Sequence, residues 1–478
     1  MVAGSEDSPP AGRRRMSVRG RAATFGAATV AGHLSQFAWL AFGSRTMSGQ
    51  TFAAVLAAQA TYGFLQIVID NGPGLYGARL SASRRIDAEL RGSIVRVRVA
   101  LGALCALLGV AVGAAGGLPS LQATLPFALA LLLFAALNYW EPYGHGDIRP
   151  WSTYIVLRAA GPAGLAVLCF GLHEPFPVWL AGLAECSVIL TVAGAFRLRT
   201  YEAARAALSA RRGPWRSVTR IGLPVVIGQL GFACGTVVLN ATGAVAAAAV
   251  FAVGIRLVTG LNQITGTLAT ALFPQLAAGG REGDLNVRGV WIASRVLVLL
   301  SFGATALLMV APSLITSVLL THSAKSADAV VIVTLSTSCA TGFLVLFTLV
   351  MLARSGEAAF LGVYGTATAV VLTGAVAVIV SPAPHAAAMA SFFCAGQLAG
   401  MTVLARRAAA ALRSAEAIVR RTARAAVLLA VLGATAAAVP AARPATATAT
   451  VLCAVIAALA GTTRRPRIAV GASAAPRI

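Results

Sequence analysis

A few ionisable side chains stand where apolar surroundings make charge costly, and each residue type points to a chemistry. Arg256 lies well inside VAAAAVFAVGIRLVTGLNQITG. A guanidinium at that depth in hydrocarbon costs at least ~2.5 kcal/mol unless something compensates it, and its planar fork of donors suits an oxyanion such as phosphate. The competing readings are an ion pair and an arginine reaching to the surface. Arg45 and Arg158 stand nearer the ends of their runs, where a solvated loop charge and a side chain snorkelling to the interface are the defaults. Glu185, in VWLAGLAECSVILTV, is the deepest acid; it suits a charge partner for an arginine, a proton carrier, or a protonated core glutamate. His33 is a proton relay or a packing histidine. Asp70 and Arg79 bracket the break in VIDNGPGLYGAR and suit an inner gate or cap. The neutral amides Gln36, Asn240, Asn262 and Gln263 offer hydrogen bonds to a polar ligand or between helices.

Composition defines the elements that must hold these residues. Of 478 residues, 58% are hydrophobic and 11% charged, with a mean hydropathy of +0.82, which excludes an ordinary soluble domain. A hydrocarbon layer about 30 Å thick takes roughly 20 apolar residues per helix. Runs of that length fall near 20–42, 51–70, 94–116, 122–141, 152–171, 177–196, 218–240, 244–272, 290–311, 328–352, 358–380, 385–405, 422–440 and 446–462. Their continuity, without alternation at period two, excludes a β-barrel. The expected fold is an all-α polytopic membrane protein of about fourteen transmembrane helices.

Charge supplies an independent test, because Lys and Arg of short loops gather on the cytoplasmic side. Threading the runs with the N-terminus inside places all but five of the 38 basic residues there. Only Arg45, Lys325 and Arg443 fall outside, with Arg158 and Arg256 inside helices. Both termini are therefore expected in the cytoplasm, and the chain in the cytoplasmic membrane. The net charge of +23 then marks a surface facing anionic membrane lipids, not nucleic acid. Residues 1–15 read as a disordered tail, 16–200 as a six-helix lobe, 201–217 as a basic linker, and 218–408 as a second six-helix lobe. Residues 409–463 add two helices and 464–478 a basic tail. Arg19 to Arg84 and Arg216 to Arg281 span the same 65 residues, as two repeated lobes would require, or as loop lengths can give by coincidence. The seven cysteines all fall in apolar runs without ligand spacing and read as packing residues. No metal or cofactor is implied. In NYWEPYGHGDIRPW, Glu141 and Asp147 are expected to order a turn, with Tyr139, Trp140, Tyr143 and Trp151 as an interfacial aromatic belt.

Several stretches carry a family resemblance. AFGSRTMSGQTFAAVLAAQA has an Arg followed by a small polar turn, and VIDNGPGLYGAR has Asp-x-Gly ending at an Arg. IGLPVVIGQLGFACG opens the seventh segment, and the eighth runs from VAAAAVF to a terminal Phe-Pro. In this order the chain resembles the Wzx-type polysaccharide flippases of the multidrug/oligosaccharidyl-lipid/polysaccharide (MOP) exporter superfamily, over nearly its whole length. The resemblance implies a MATE-like fold and a non-enzymatic transporter moving an undecaprenyl-pyrophosphate-linked oligosaccharide to the outer leaflet by alternating access. It implies polysaccharide polymerase and glycosyltransferases as partners. Arg256, and Arg45 on release, would then take the diphosphate, and Gln36, Asn240, Asn262 and Gln263 the sugar hydroxyls. The sequence departs from the family where an Asp late in segment seven and a Tyr early in segment eight are common: Leu239, Asn240 and Phe251 stand there. Carboxylate-based ion coupling at that place is therefore not implied.

Three rivals stay in view. A multidrug or cation antiporter of the same superfamily would favour buried acids over arginines, and a lipid II flippase would differ only in cargo. A polytopic polymerase or ligase would need a large outer loop or paired catalytic acids, and no P-loop, HExxH or GxSxG occurs where it could serve.

Overall fold

The structure is a computed structural model that describes residues 18–82, 88–144, 147–196, 198, 215–242, 244–278, 287–311, 317, 327–355, 358–380, 386–412 and 415–463. Every expected apolar segment falls on a helix, and among the described residues there is no strand. The first part comprises α1 (Val18–Thr46), α2 (Gly49–Asn71), α3 (Pro73–Ala82), α4 (Ala88–Ala115), α5 (Leu118–Ala136), α6 (Trp140–Gly144), α7 (Arg149–Gly171) and α8 (Leu180–Ala195). The second comprises α9 (Trp215–Ala241), α10 (Val245–Ala278), α11 (Val287–Val310), α12 (Ala327–Ser336), α13 (Ser338–Ser355), α14 (Ala358–Val380) and α15 (Ala386–Ala411). Then follow α16 (Glu416–Ala438) and α17 (Arg443–Thr463). Among the described residues nine helices are long and apolar enough to cross a membrane. The chain is a multi-pass membrane protein.

Local chemistry sets the helix ends. Ser48 caps α2 by accepting the Thr51 amide at 3.2 Å. At the other end Gly72 meets α9 so closely that a Cβ there would lie 2.8 Å from Val218 Cγ1. Pro73, which has no amide hydrogen to lose at a helix start, opens α3. NGPG is therefore a helix-to-helix elbow, and α3 continues against α6. Gly77 makes that contact possible, since a Cβ at this position would sit 2.5 Å from the Trp140 ring. Trp140 and Tyr139 are consequently buried, 1% and 5% exposed. They pack inside the protein and not in the interfacial belt expected of them.

The packing partners recur in the two halves. In the first, α1 lies on α7, α2 and α4 on α5, and α8 on α5 and α7. In the second, α9 lies on α14, α10 and α11 on α13, and α15 on α13 and α14. Across the halves α2 meets α9 and α10, and α1 meets α10. Helix α17 lies on α11, while α16 covers α12 and α15. One apolar cluster joins the halves beside the 47–48 and 242–244 connections, where Trp39, Met47, Phe52 and Leu56 share a core with Leu239, Ala248, Phe251 and Val253. On the other side of that seal, toward Asp70 and Gln263, a cavity opens.

Candidate functional site

The cavity, about 520 Å³, lies between the halves and is lined by α1, α2, α5, α7 and α8 on one side and by α9 and α10 on the other. Helix α2 contributes Gln59, Tyr62, Gln66 and Asp70. Their spacing follows the helical repeat, which places them on one face. Helix α7 presents Trp151, Tyr154 and Arg158 by the same rule, and α10 presents Arg256, Thr259 and Gln263.

Glu185 is 3% exposed and sits at the centre of a hydrogen-bonded cluster. Tyr62 and Tyr154 both donate their hydroxyls to its Oε1, at 2.7 and 2.5 Å. Gln66 Nε2 donates to the Tyr154 hydroxyl at 2.7 Å. Arg158 Nε stands 3.6 Å from the same carboxylate oxygen, and its guanidinium lies over the Tyr62 ring at 5.1 Å. Two hydroxyl donors and a guanidinium converge on one carboxylate oxygen. Arg158 thus reaches into the cavity toward Glu185, where snorkelling to the interface was expected of it.

Arg256 faces this cluster from α10. Its Nη2 donates to Gln59 Oε1 at 2.6 Å, and Trp39 Nε1 donates to the same oxygen at 3.1 Å. One neutral amide therefore ties α1 and α2 to α10. Arg256 Nη1 is buried without a partner. The charge that bears on Arg256 is Arg158, which repels it. The pairing of Arg256 with Glu185, an alternative open in the sequence, is not what the structure shows, since the carboxylate is taken up by Arg158 and the tyrosines.

The remaining candidates divide. Gln36, Gln263 and His33 line the cavity, with His33 packed against Gly260. Asn262 is 7% exposed and lines a second, smaller cavity. Arg45 is exposed, donating to the Ala41 carbonyl and, at 3.4 Å, to the Ser317 carbonyl; it does not line the cavity. The side chains of Asn240 on α9 and Arg79 on α3 lie outside the described residues. Asp70 lines the cavity mouth and accepts a 2.8 Å bond from Arg98 Nη1. Arg98 is fully buried; it also donates Nε to the Ala135 carbonyl at 3.3 Å and Nη2 to the Phe134 and Leu137 carbonyls at 3.2 and 3.4 Å. Sequence reasoning missed Gln59, Tyr62, Gln66, Tyr154 and Arg98 as parts of the site or its frame. The polar stripe along α2 was the signal that could have found the first three.

No protein-family model matches the sequence, and no curated protein matches it. Solved structures do resemble it. An inward-facing multidrug resistance MATE family transporter of the MOP superfamily aligns with a TM-score of 0.57 at 14% identity, covering 80% of this chain and 96% of that one. An outward-facing one aligns at 0.54 and 14% identity, covering 84% and 98%. A MOP superfamily transporter from Pyrococcus furiosus, described as having a binding pocket whose reverse polarity suggests a different function, aligns at 0.52 and 14% identity, covering 83% and 97%. The chain has the fold of the MATE transporters of the MOP superfamily.

Proposed function

We propose that the chain is an alternating-access transporter of the cytoplasmic membrane that flips a lipid-linked, diphosphate-bearing oligosaccharide from the inner to the outer leaflet. The observation that carries this reading is the surplus of positive charge in the cavity. Arg158 and Arg256 line it with the carboxylates Glu185 and Asp70, the buried Arg98 neutralises Asp70 from behind the wall, and Arg256 has a buried, unpartnered Nη1. Positive charge kept inside a membrane is costly without an anion to use it, and two phosphates provide oxygens for both forks. The polyprenyl tail can stay in lipid while the charged and hydroxylated part crosses through the cavity. The apolar seal beside the 47–48 connection leaves the cavity toward the Asp70 end. With both termini cytoplasmic, that end faces the donor leaflet. A Pyrococcus furiosus transporter of the same fold is likewise described as having a binding pocket whose reverse polarity suggests a different function. Polymerase and glycosyltransferases of the same polysaccharide would be the functional partners.

The test compares cells depleted of the protein and complemented with variants, alongside proteoliposomes. Depletion should trap lipid-linked oligosaccharide in the inner leaflet. Arg256→Lys should retain part of the flipping rate, because charge remains while the fork is lost, and Arg256→Ala should lose most of it at equal folded protein. Unchanged surface polysaccharide with raised sensitivity to cationic drugs would refute the flippase and favour a multidrug or cation antiporter; the structures similar in fold are described as multidrug resistance transporters.

A further inference from the structure

A second cavity of about 160 Å³ adjoins the first inside the second half of the chain. The two share Gln229, Phe232, Thr259 and Gln263 as lining, so a ligand in one is in reach of the other. Its chemistry differs from that of its neighbour. The polar side chains lining it, among them Asn262, Thr341 and Gln397, carry no charge, and Phe232 and Tyr364 supply aromatic rings. Asn262 is 7% exposed, and neither its Nδ2 nor its Oδ1 has a hydrogen-bond partner. A buried amide unsatisfied at both ends is costly and uncommon in folded proteins. Gly342 keeps room around it: a Cβ there would come within 2.7 Å of Asn262 Oδ1.

We propose that this side pocket is a subsite for the sugar joined to the diphosphate, held as one pyranose ring by Asn262 and Gln397; the proposal rests on the transport reading given above. Neutral amides suit hydroxyls, whereas phosphate would seek the arginines. Adjacent hydroxyls of a pyranose can accept from Asn262 Nδ2 and donate to its Oδ1, satisfying both orphaned groups at once. Phe232 and Tyr364 supply aromatic surface against which the C–H side of the ring can lie. The volume, about 160 Å³, is on the order of a single ring. Asn262 follows Arg256 by six residues on α10, about 9 Å along the axis, which a diphosphate and its glycosidic oxygen can bridge.

The full-length chain in detergent micelles is titrated with undecaprenyl diphosphate, and with the same lipid carrying one glucose, galactose or N-acetylglucosamine. At least one sugar-bearing lipid should bind about tenfold tighter than the bare lipid, the size expected of two added hydrogen bonds. Asn262→Leu should abolish that increment, leave the bare-lipid affinity unchanged and, by removing an unsatisfied buried amide, melt at or above the wild type. Gln397→Leu, the second variant, should likewise abolish the increment and spare bare-lipid binding. Arg256→Ala should weaken every lipid. Equal binding of all four lipids by the wild type, with bare lipid still bound, overturns the sugar subsite alone. An increment that survives both leucine variants, or a loss of bare-lipid binding in them, also overturns it. A wild-type chain that binds none of the lipids overturns the transport reading and this subsite with it.

Discussion

Replacing Asp70 by Asn should destabilise the wild-type protein yet stabilise a protein that already lacks Arg98. In the wild type, Asp70 receives a charged hydrogen bond of 2.8 Å from Arg98 Nη1. Asn keeps an acceptor oxygen but loses the charge, turning a bond worth about 1.5–3 kcal/mol into one worth about 0.5–1.5, a loss of about 1 kcal/mol. Arg98→Leu removes more. The Ala135 and Leu137 carbonyls lose the donors that Arg98 brings to the end of α5, and Asp70, with its side chain 19% exposed, keeps only the Tyr139 hydroxyl and no cation. Breaking a buried pair from one side costs about 3–5 kcal/mol. In that background the carboxylate is a liability, so the neutral Asn should recover part of the loss. Thermal unfolding of the four proteins in one detergent gives the cycle: wild type highest, Asp70→Asn below it, then the double variant, then Arg98→Leu. Equal destabilisation by Asp70→Asn in both backgrounds would show the two groups to be independent and the elbow at Gly72 to be held by something else.

Gly182→Ala should destabilise by about 1–3 kcal/mol through overpacking, because its Cβ would lie 2.7 Å from Pro126 Cβ and 3.0 Å from the Phe127 nitrogen. Gly164→Ala, with nothing within 4 Å, should melt at or slightly above the wild type; the reverse order would refute the close approach of α5 and α8. Gln59→Leu removes the neutral acceptor that competes with an anion for Arg256, so affinity for inorganic pyrophosphate should rise about tenfold, and a fall would mean that Gln59 itself binds the ligand. Reporter fusions in the 197–214 segment should report a cytoplasmic location; an external one would reverse the orientation on which the proposed direction of transport depends.

Helix positions were legible because a membrane helix must be apolar over its whole span, a one-dimensional signal. The depth of Arg256 and Glu185 was legible for the same reason. Azimuth and partners were not, because these depend on which helices become neighbours. Gln59 and Gln66 interrupt an otherwise apolar segment, and only the packing of α2 between α5 and α9 turns them into cavity lining. Arg98 and Arg158 sit near segment ends, where snorkelling is the default, and each is instead drawn inward by an acid on another helix. Trp140 has the composition of a membrane-interface residue, but the elbow at Gly72 folds α3 over it.

The unequal division of charge across the cavity has an electrical consequence. With Asp70 neutralised by Arg98, the two guanidiniums and the Glu185 carboxylate leave a single positive charge in the empty cavity. Bound diphosphate, with about two negative charges, would turn that to a single negative one. A full crossing of one charge is worth about 2.3 kcal/mol per 100 mV of membrane potential. Under the proposed cycle the loaded and empty strokes are therefore biased by voltage in opposite directions and by similar amounts. Membrane potential alone would then favour one direction of net transport, with no coupling ion required, and dissipating it would slow the cycle even where substrate is saturating.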